Sequence, residues 1–161
     1  MLAWHGTTPV GMLTCVPISY DADRVCDLST WDKVTNNGYF HWPVGNSNAL
    51  YIASGVVHAD HHDKCVFEQG IQAVVDRAKA WGYNHVLAGA RLPTYHKYQE
   101  KHGELDAAKY AALEKRGRLI DPLLQRYRTL GFAVPNANHV KASYYPDFSS
   151  MDYAAIVVKS W

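Results

Sequence analysis

The chain has 161 residues, with 16 basic and 15 acidic side chains, giving a formal charge of +1 when its nine histidines are taken as neutral. That length suits one domain, here residues 1–161. The balance excludes a strongly basic nucleic-acid arm and an acidic tail, and leaves room for a local patch that holds a small anion. No apolar run approaches the roughly 18 residues of a membrane helix, so no membrane partner is expected. Five Trp, eleven Tyr and four Phe can fill a core, which speaks against disorder. The cysteines, Cys15, Cys26 and Cys65, are odd in number and lack CxxC spacing, which argues against a disulfide scaffold or a cysteine zinc site. The first residues, Met1 to Gly6, lack the charged-then-apolar layout of a signal peptide. A reducing, cytoplasmic setting is expected.

In chain order, Leu2-Ala3-Trp4-His5 and the apolar stretch from Gly11 to Ile18 predict a hairpin closed by Gly6-Thr7-Thr8-Pro9. Residues 19–48 are polar and rich in turn formers, with Asn37-Gly38 a strong turn signal. Ala49 to His58 reads as a buried central strand. After a polar loop, Phe67, Ile71, Val74, Val75, Ala78 and Trp81 form one stripe of a helix, with Asp63 expected as N-cap and Gly82 as left-handed terminator. His85 to Leu92 is a second buried strand. Strand, helix and strand with short joints make a crossover unit, so the two strands are expected to be parallel neighbours. Residues 94–118 are charged and helix-compatible. A further helix runs from Asp121 (N-cap) and Pro122 to Gly131. Phe132-Ala133-Val134 and Tyr153 to Val158 are expected as the last strands.

This order, together with Tyr127-Arg128-Thr129-Leu130-Gly131-Phe132, resembles the GNAT (Gcn5-related N-acetyltransferase) superfamily. Gly89-Ala90-Arg91-Leu92-Pro93-Thr94-Tyr95-His96, Asp121-Pro122-Leu123-Leu124, Thr30-Trp31-Asp32 and the Tyr153 to Trp161 strand are similar to the branch fused to carbon–nitrogen hydrolases and to the GNAT-like loading domains of polyketide synthases. The resemblance implies an α/β (α+β) fold: a mixed central sheet whose parallel middle strands splay apart, flanked by helices. It also implies acetyl-CoA or another acyl-CoA as co-substrate and no metal. Two departures stand out. The family's opening strand and two helices have no counterpart here, and its phosphate-loop pattern, Arg/Gln-x-x-Gly-x-Gly/Ala, is replaced by His62-Asp63-Lys64-Cys65-Val66-Phe67.

Such a loop holds a diphosphate through backbone N–H groups at a helix start, aided by the helix dipole. Glycine permits the close approach, and Asp63 adds an unfavourable negative charge that Lys64 and a charged His61 or His62 partly offset. Weakened or altered coenzyme A binding is therefore expected of His62, Lys64, Cys65, Val66 and Phe67. Backbone groups near Val56 and Val57 would hold the pantetheine arm by strand-like hydrogen bonds. Tyr127 occupies the family position that faces the thioester sulfur, where a phenol acts as general acid to the departing thiolate; the bland alternative is a core aromatic at helical spacing. His96, at the mouth of the same cleft, would be a base for the acceptor or a binder of an acyl carboxylate.

Other readings stay open at this point. His58, Asp60, His61, His62 and Asp63 are potential metal ligands, but consecutive residues suit a solvated loop better than a tetrahedral site. Cys65 at a helix start would have a lowered pKa and is a minor candidate nucleophile. The leading expectation is an acyl-CoA-dependent N-acetyltransferase acting on a small-molecule amine. The alternatives are a decarboxylase or S-acyltransferase working on malonyl-type thioesters and a carrier-protein thiol, or a non-catalytic binding protein. The edge near residues 1–4 suggests a homodimer.

Overall fold

A computed structural model describes residues 1–40, 47–62 and 65–161. Strands β1 (Leu2–His5) and β2 (Thr8–Ile18) form the expected antiparallel hairpin, with Gly6 at φ +62° in the tight turn. Pro9 lies inside β2, where a register shift between Ala3 and Trp4 accommodates it. Helix α1 (Trp31–Thr35) is capped by the Thr30 hydroxyl, which accepts from the Lys33 N–H at 3.1 Å. It exits through three left-handed residues, Asn36, Asn37 and Gly38, so the Asn37-Gly38 signal marks a helix end.

Strand β3 (Ala49–Val57) is antiparallel to β2. Helix α2 (Val66–Ala80) buries Ile71, Val74, Val75 and Ala78, and Gly82 terminates it at φ +78°. Its start corrects the sequence expectation. The N-cap is Cys65, without a side-chain cap bond, and not Asp63, which lies outside the described residues together with Lys64. Strand β4 (His85–Arg91) is the parallel neighbour of β3, as the crossover unit requires.

The charged stretch that follows holds two helices, α3 (Tyr95–His102) and α4 (Ala107–Ala111), then a small hairpin of β5 (Glu114–Lys115) and β6 (Arg118–Leu119) turning at Arg116 and Gly117. Helix α5 (Pro122–Thr129) is capped by Asp121. The strand expected at Phe132-Ala133-Val134 reduces to one bridge, Ala133 to Val158. The edge position belongs instead to β7 (Val140–Lys141), and β8 (Ala154–Ser160) returns through the sheet.

The mixed six-stranded sheet runs β1-β2-β3-β4-β8-β7. Alternation along each strand separates two cores. Leu50, Ile52, Val86 and Ala88 face α2 and α5, with Tyr95 and Tyr110 of α3 and α4 in the same cluster. Tyr51, Leu87 and Ile156 face the other way, against Tyr20, Leu28 and Tyr144. Among the described residues no helix is long and apolar enough to cross a membrane.

Candidate active site between the parted strands

The parallel pairing of β3 with β4 covers only Ala49↔His85 to Ile52↔Ala88. Beyond that point β3 stays with β2 and β4 stays with β8, so the two strands part. The cause is local. The β2–β3 register skips from Thr14↔Ser54 to Cys15↔Ile52, which leaves Ala53 as a bulge residue. A bulge bends its strand and raises its twist. At the bulge a side chain takes over from the ladder. The Ala53 carbonyl accepts the Trp31 indole N–H at 2.8 Å.

The wedge holds a cavity of about 350 Å³. Phe67 of α2 and Leu123 and Tyr127 of α5 line it on one face of the sheet, and Trp31, Tyr144 and Tyr145 on the other; the edges are Ile52 to Gly55 and Ala88 to Arg91. It therefore passes through the sheet. A larger cavity of about 600 Å³, between α4, α5 and β8, contains none of the expected site residues.

Asp121, Gly131 and Phe132 set the position of Tyr127. The Asp121 carboxylate accepts from the Leu123 and Leu124 N–H groups at 3.0 and 3.1 Å and fixes the start of α5. At the other end Gly131 is left-handed at φ +83°. The Phe132 N–H donates to the Tyr127 carbonyl and the Gly131 N–H to that of Arg128, each at 3.0 Å. This is a Schellman cap, and the 5.4 Å ring contact of Phe132 with Tyr127 is its apolar clasp. The Gly-Phe of the motif is thus capping chemistry; the phenol in the wedge is not required by it. The Tyr127 ring also meets Phe67 edge-on at 5.6 Å. Its hydroxyl has no hydrogen-bond partner among the described residues, and burial, reinforced by Tyr51, pushes its pKa well above the usual phenol value. Nearby, burial pushes the Cys15 thiol up to about 11.

Helix α2 starts at a non-glycine residue in the left-handed region: Cys65 sits at φ 55°, ψ 21°. Its side chain is exposed. Phe67 turns inward, and the Arg126 guanidinium lies 4.7 Å over its ring while pairing with Glu68 at 2.6 Å. Val56 and Val57 border, with Val66 and Phe67, a smaller cavity of about 210 Å³ on the β1 side. The Val57 carbonyl already accepts from His62 Nε2 at 2.8 Å. Lys64 lies outside the described residues.

His96 does not line the wedge. It sits on α3, 3.7 Å from Glu100, with its ring 4.3 Å from that of Phe148. Arg91 does line it, and pairs with Asp147 at 3.4 Å. In the histidine-rich loop, His58 pairs with Asp60 at 3.7 Å and His61 packs between the rings of His5 and His58. Among the described residues no three metal-binding side chains converge. Sequence reasoning gave no role to Tyr51, Gly89, Tyr144 or Tyr145. Two adjacent tyrosines inside a polar excursion were the available signal.

No family model matches the sequence. A curated relative is the probable hydrolase YhcX of Bacillus subtilis, 28% identical over 147 residues, which are 89% of this chain and 27% of that protein. The chain thus spans about a quarter of the length of the curated relative it matches. Among solved structures, the loading GNATL domain of CurA from Lyngbya majuscula superposes with a TM-score of 0.75 at 14% identity, covering 99% of this chain and 74% of that one. The GphF GNAT-like decarboxylase, solved in complex with isobutyryl-CoA, superposes with a TM-score of 0.75 at 18% identity, covering 99% and 76%. An aminoglycoside 6'-N-acetyltransferase complexed with coenzyme A follows at 0.55 and 12%, covering 99% and 70%. The fold is GNAT-like: a mixed α/β sheet of six strands flanked by helices, as the sequence resemblance implied.

Proposed function

We propose that the chain is an acyl-CoA-dependent acyltransferase that carries an acyl group, acetyl in the simplest case, from a CoA thioester to an amine by direct attack. The observation that carries this reading is Tyr127, a residue only 6% exposed whose hydroxyl has no hydrogen-bond partner among the described residues, lining a cavity that runs between parted parallel strands. The pantetheine arm enters along β3 at Val56 and Val57. The diphosphate lies at the start of α2, over His62, Lys64, Cys65, Val66 and Phe67. The amine nitrogen bonds to the carbonyl carbon, the C–S bond breaks, and the sulfur takes the phenolic proton of Tyr127; the surplus amine proton returns to the phenolate through water. A phenol with a raised pKa would be a poor donor to an ordinary thiolate. A thiolate in the same dry environment is made more basic too, the direction in which burial moves the Cys15 thiol. A cytoplasmic setting supplies the co-substrate.

A second reading is decarboxylation of a malonyl-type thioester or acyl transfer to a carrier-protein thiol. Its support is that GphF and the CurA loading domain superpose at 0.75 while the aminoglycoside acetyltransferase reaches 0.55. Arg91 at the rim is a counter-charge for an acyl carboxylate, and in this reading His96 is the group whose loss abolishes turnover. Titration with acetyl-CoA and malonyl-CoA, then Tyr127→Phe and His96→Ala, separates the two. Tyr127→Phe is expected to slow amine acetylation at least a hundredfold with thioester affinity unchanged; intact acetylation overturns the general-acid role. Malonyl-CoA decarboxylation that survives Tyr127→Phe and disappears in His96→Ala selects the second reading. No binding of either thioester leaves a non-catalytic binding protein. A second copy pairing along the free edge of β1 belongs to the same proposal; a clean monomer by size-exclusion chromatography at high concentration counts against it.

A further inference from the structure

We infer that Tyr144 is the stop at the end of the acyl channel, and that it restricts the donor to short-chain thioesters. This rests on the thioester reading above. A thioester entering from the α2 and α5 side has its sulfur near Tyr127, so its acyl group points through the wedge toward the opposite face. The first surface there is Gly89 with the ring of Tyr144 seated on it. A Cβ at Gly89 would lie 2.5 Å from Cε1 of that ring, so the absence of a side chain at 89 is what lets the phenol close the channel.

The stop is fixed on several sides. Tyr144 is 4% exposed, and its hydroxyl is hydrogen-bonded to that of Tyr51. The Tyr144 N–H donates to the Asp152 carbonyl at 2.8 Å, and its own carbonyl accepts from the Trp31 N–H at 2.9 Å. Swinging the ring aside would leave the Tyr51 hydroxyl, on a residue 1% exposed, without that bond. Behind the ring lies the second core, with Leu87 and Ile156. Beside it Trp31 and the half-exposed Tyr145 meet edge-on at 5.7 Å, so these two rings leave no opening between them for a longer acyl chain.

The test is the affinity of acetyl-, butyryl- and hexanoyl-CoA for the wild-type protein and for Tyr144→Ala, Tyr144→Leu and Tyr144→Phe, each first shown to be folded by its thermal transition. The wild type is expected to bind hexanoyl-CoA at least tenfold more weakly than acetyl-CoA. Alanine should reverse the order, gaining about fourfold per methylene that enters apolar space. Leucine should fall between, and decides the matter if alanine does not fold. Phenylalanine should keep the wild-type ratio, because the ring is the stop. Folded alanine or leucine variants with the wild-type ratio, or a wild type indifferent to chain length, overturn the inference and leave the thioester reading standing. A wild type that binds none of the three overturns the reading itself.

Discussion

Cys65 shows what a single residue costs and yields at the start of α2. It is in the left-handed region at φ 55°, where a Cβ is unfavourable by about 1–2 kcal/mol. Its thiol caps nothing, so truncation sacrifices no hydrogen bond. Glycine removes the penalty and adds unfolded-state entropy of roughly 0.5–1 kcal/mol. Cys65→Gly is therefore expected to stabilise the fold by about 0.5–1 kcal/mol and raise the thermal midpoint by about 2 °C, while Cys65→Val lowers it; scanning calorimetry decides. The same residue explains how far the site was legible. The sequence showed a loop without glycines, and that one of its residues, Cys65, takes the left-handed conformation is visible only in its φ. Tyr127 was legible because its signal is local, a helix end with a Gly-Phe cap. Tyr51, Gly89 and Tyr144 were not, since they meet across the sheet from positions up to 93 residues apart.

At the scale of elements, α5 is a short helix held by its two ends. Asp121 is 1% exposed, gives two N-terminal cap bonds and accepts the Tyr110 hydroxyl at 3.1 Å. Burial raises its pKa, so the charge is tolerated for the geometry it supplies. Asp121→Asn keeps an acceptor oxygen without the buried charge and is expected to be close to neutral. Asp121→Ala loses the cap and one of the two partners of the Tyr110 hydroxyl, which keeps the Thr94 hydroxyl at 2.6 Å, a cost of about 1–2 kcal/mol. Denaturant midpoints measure both, and an alanine variant as stable as the asparagine one would show that the cap does not hold α5. Helix α5 was readable because Asp, Pro and Gly punctuate it. The stretch before it was not. Residues 94–118 read as generally helical, whereas Gly103 and the Arg116-Gly117 turn divide them into two helices and a hairpin. Phe132-Ala133-Val134 has strand composition, but it leaves the Schellman cap at an angle that lets only Ala133 reach β8. Periodicity reports a preference; the neighbouring cap decides the direction.

For the whole molecule, the same buried polar groups set a window of pH. On the alkaline side burial raises the phenols of Tyr51, Tyr110, Tyr127 and Tyr144, with Tyr51 at about 12. A raised pKa in the fold means that the native state holds its protons more tightly than the unfolded chain. The stability is complete below the ordinary phenol value of about 10 and is lost as pH climbs through the folded value. Tyr51 alone accounts for roughly 2–3 kcal/mol over that span. On the acid side the fully buried His139 works in the opposite sense. Its Nδ1 faces the Asn136 Oδ1, an acceptor, at 2.9 Å, so Nδ1 carries the hydrogen and Nε2 accepts from the Tyr20 hydroxyl at 3.0 Å. The neutral ring is thus satisfied at both nitrogens. Burial, aided by Lys141, lowers its pKa, and burial likewise lowers that of His85. A lowered value means that the unfolded chain takes up the proton first, so stability falls as pH drops below about 6.5. Urea midpoints are accordingly expected to form a plateau between about pH 7 and 9, to decline from pH 7 to 5, and to fall more steeply above pH 10. His139→Gln should lower the plateau, because Tyr20 loses a well-placed acceptor, and should flatten the decline between pH 7 and 5. A wild type whose stability holds or rises on acidification to pH 5, or a glutamine variant with an unchanged slope, would place the acid sensitivity elsewhere than in this buried imidazole.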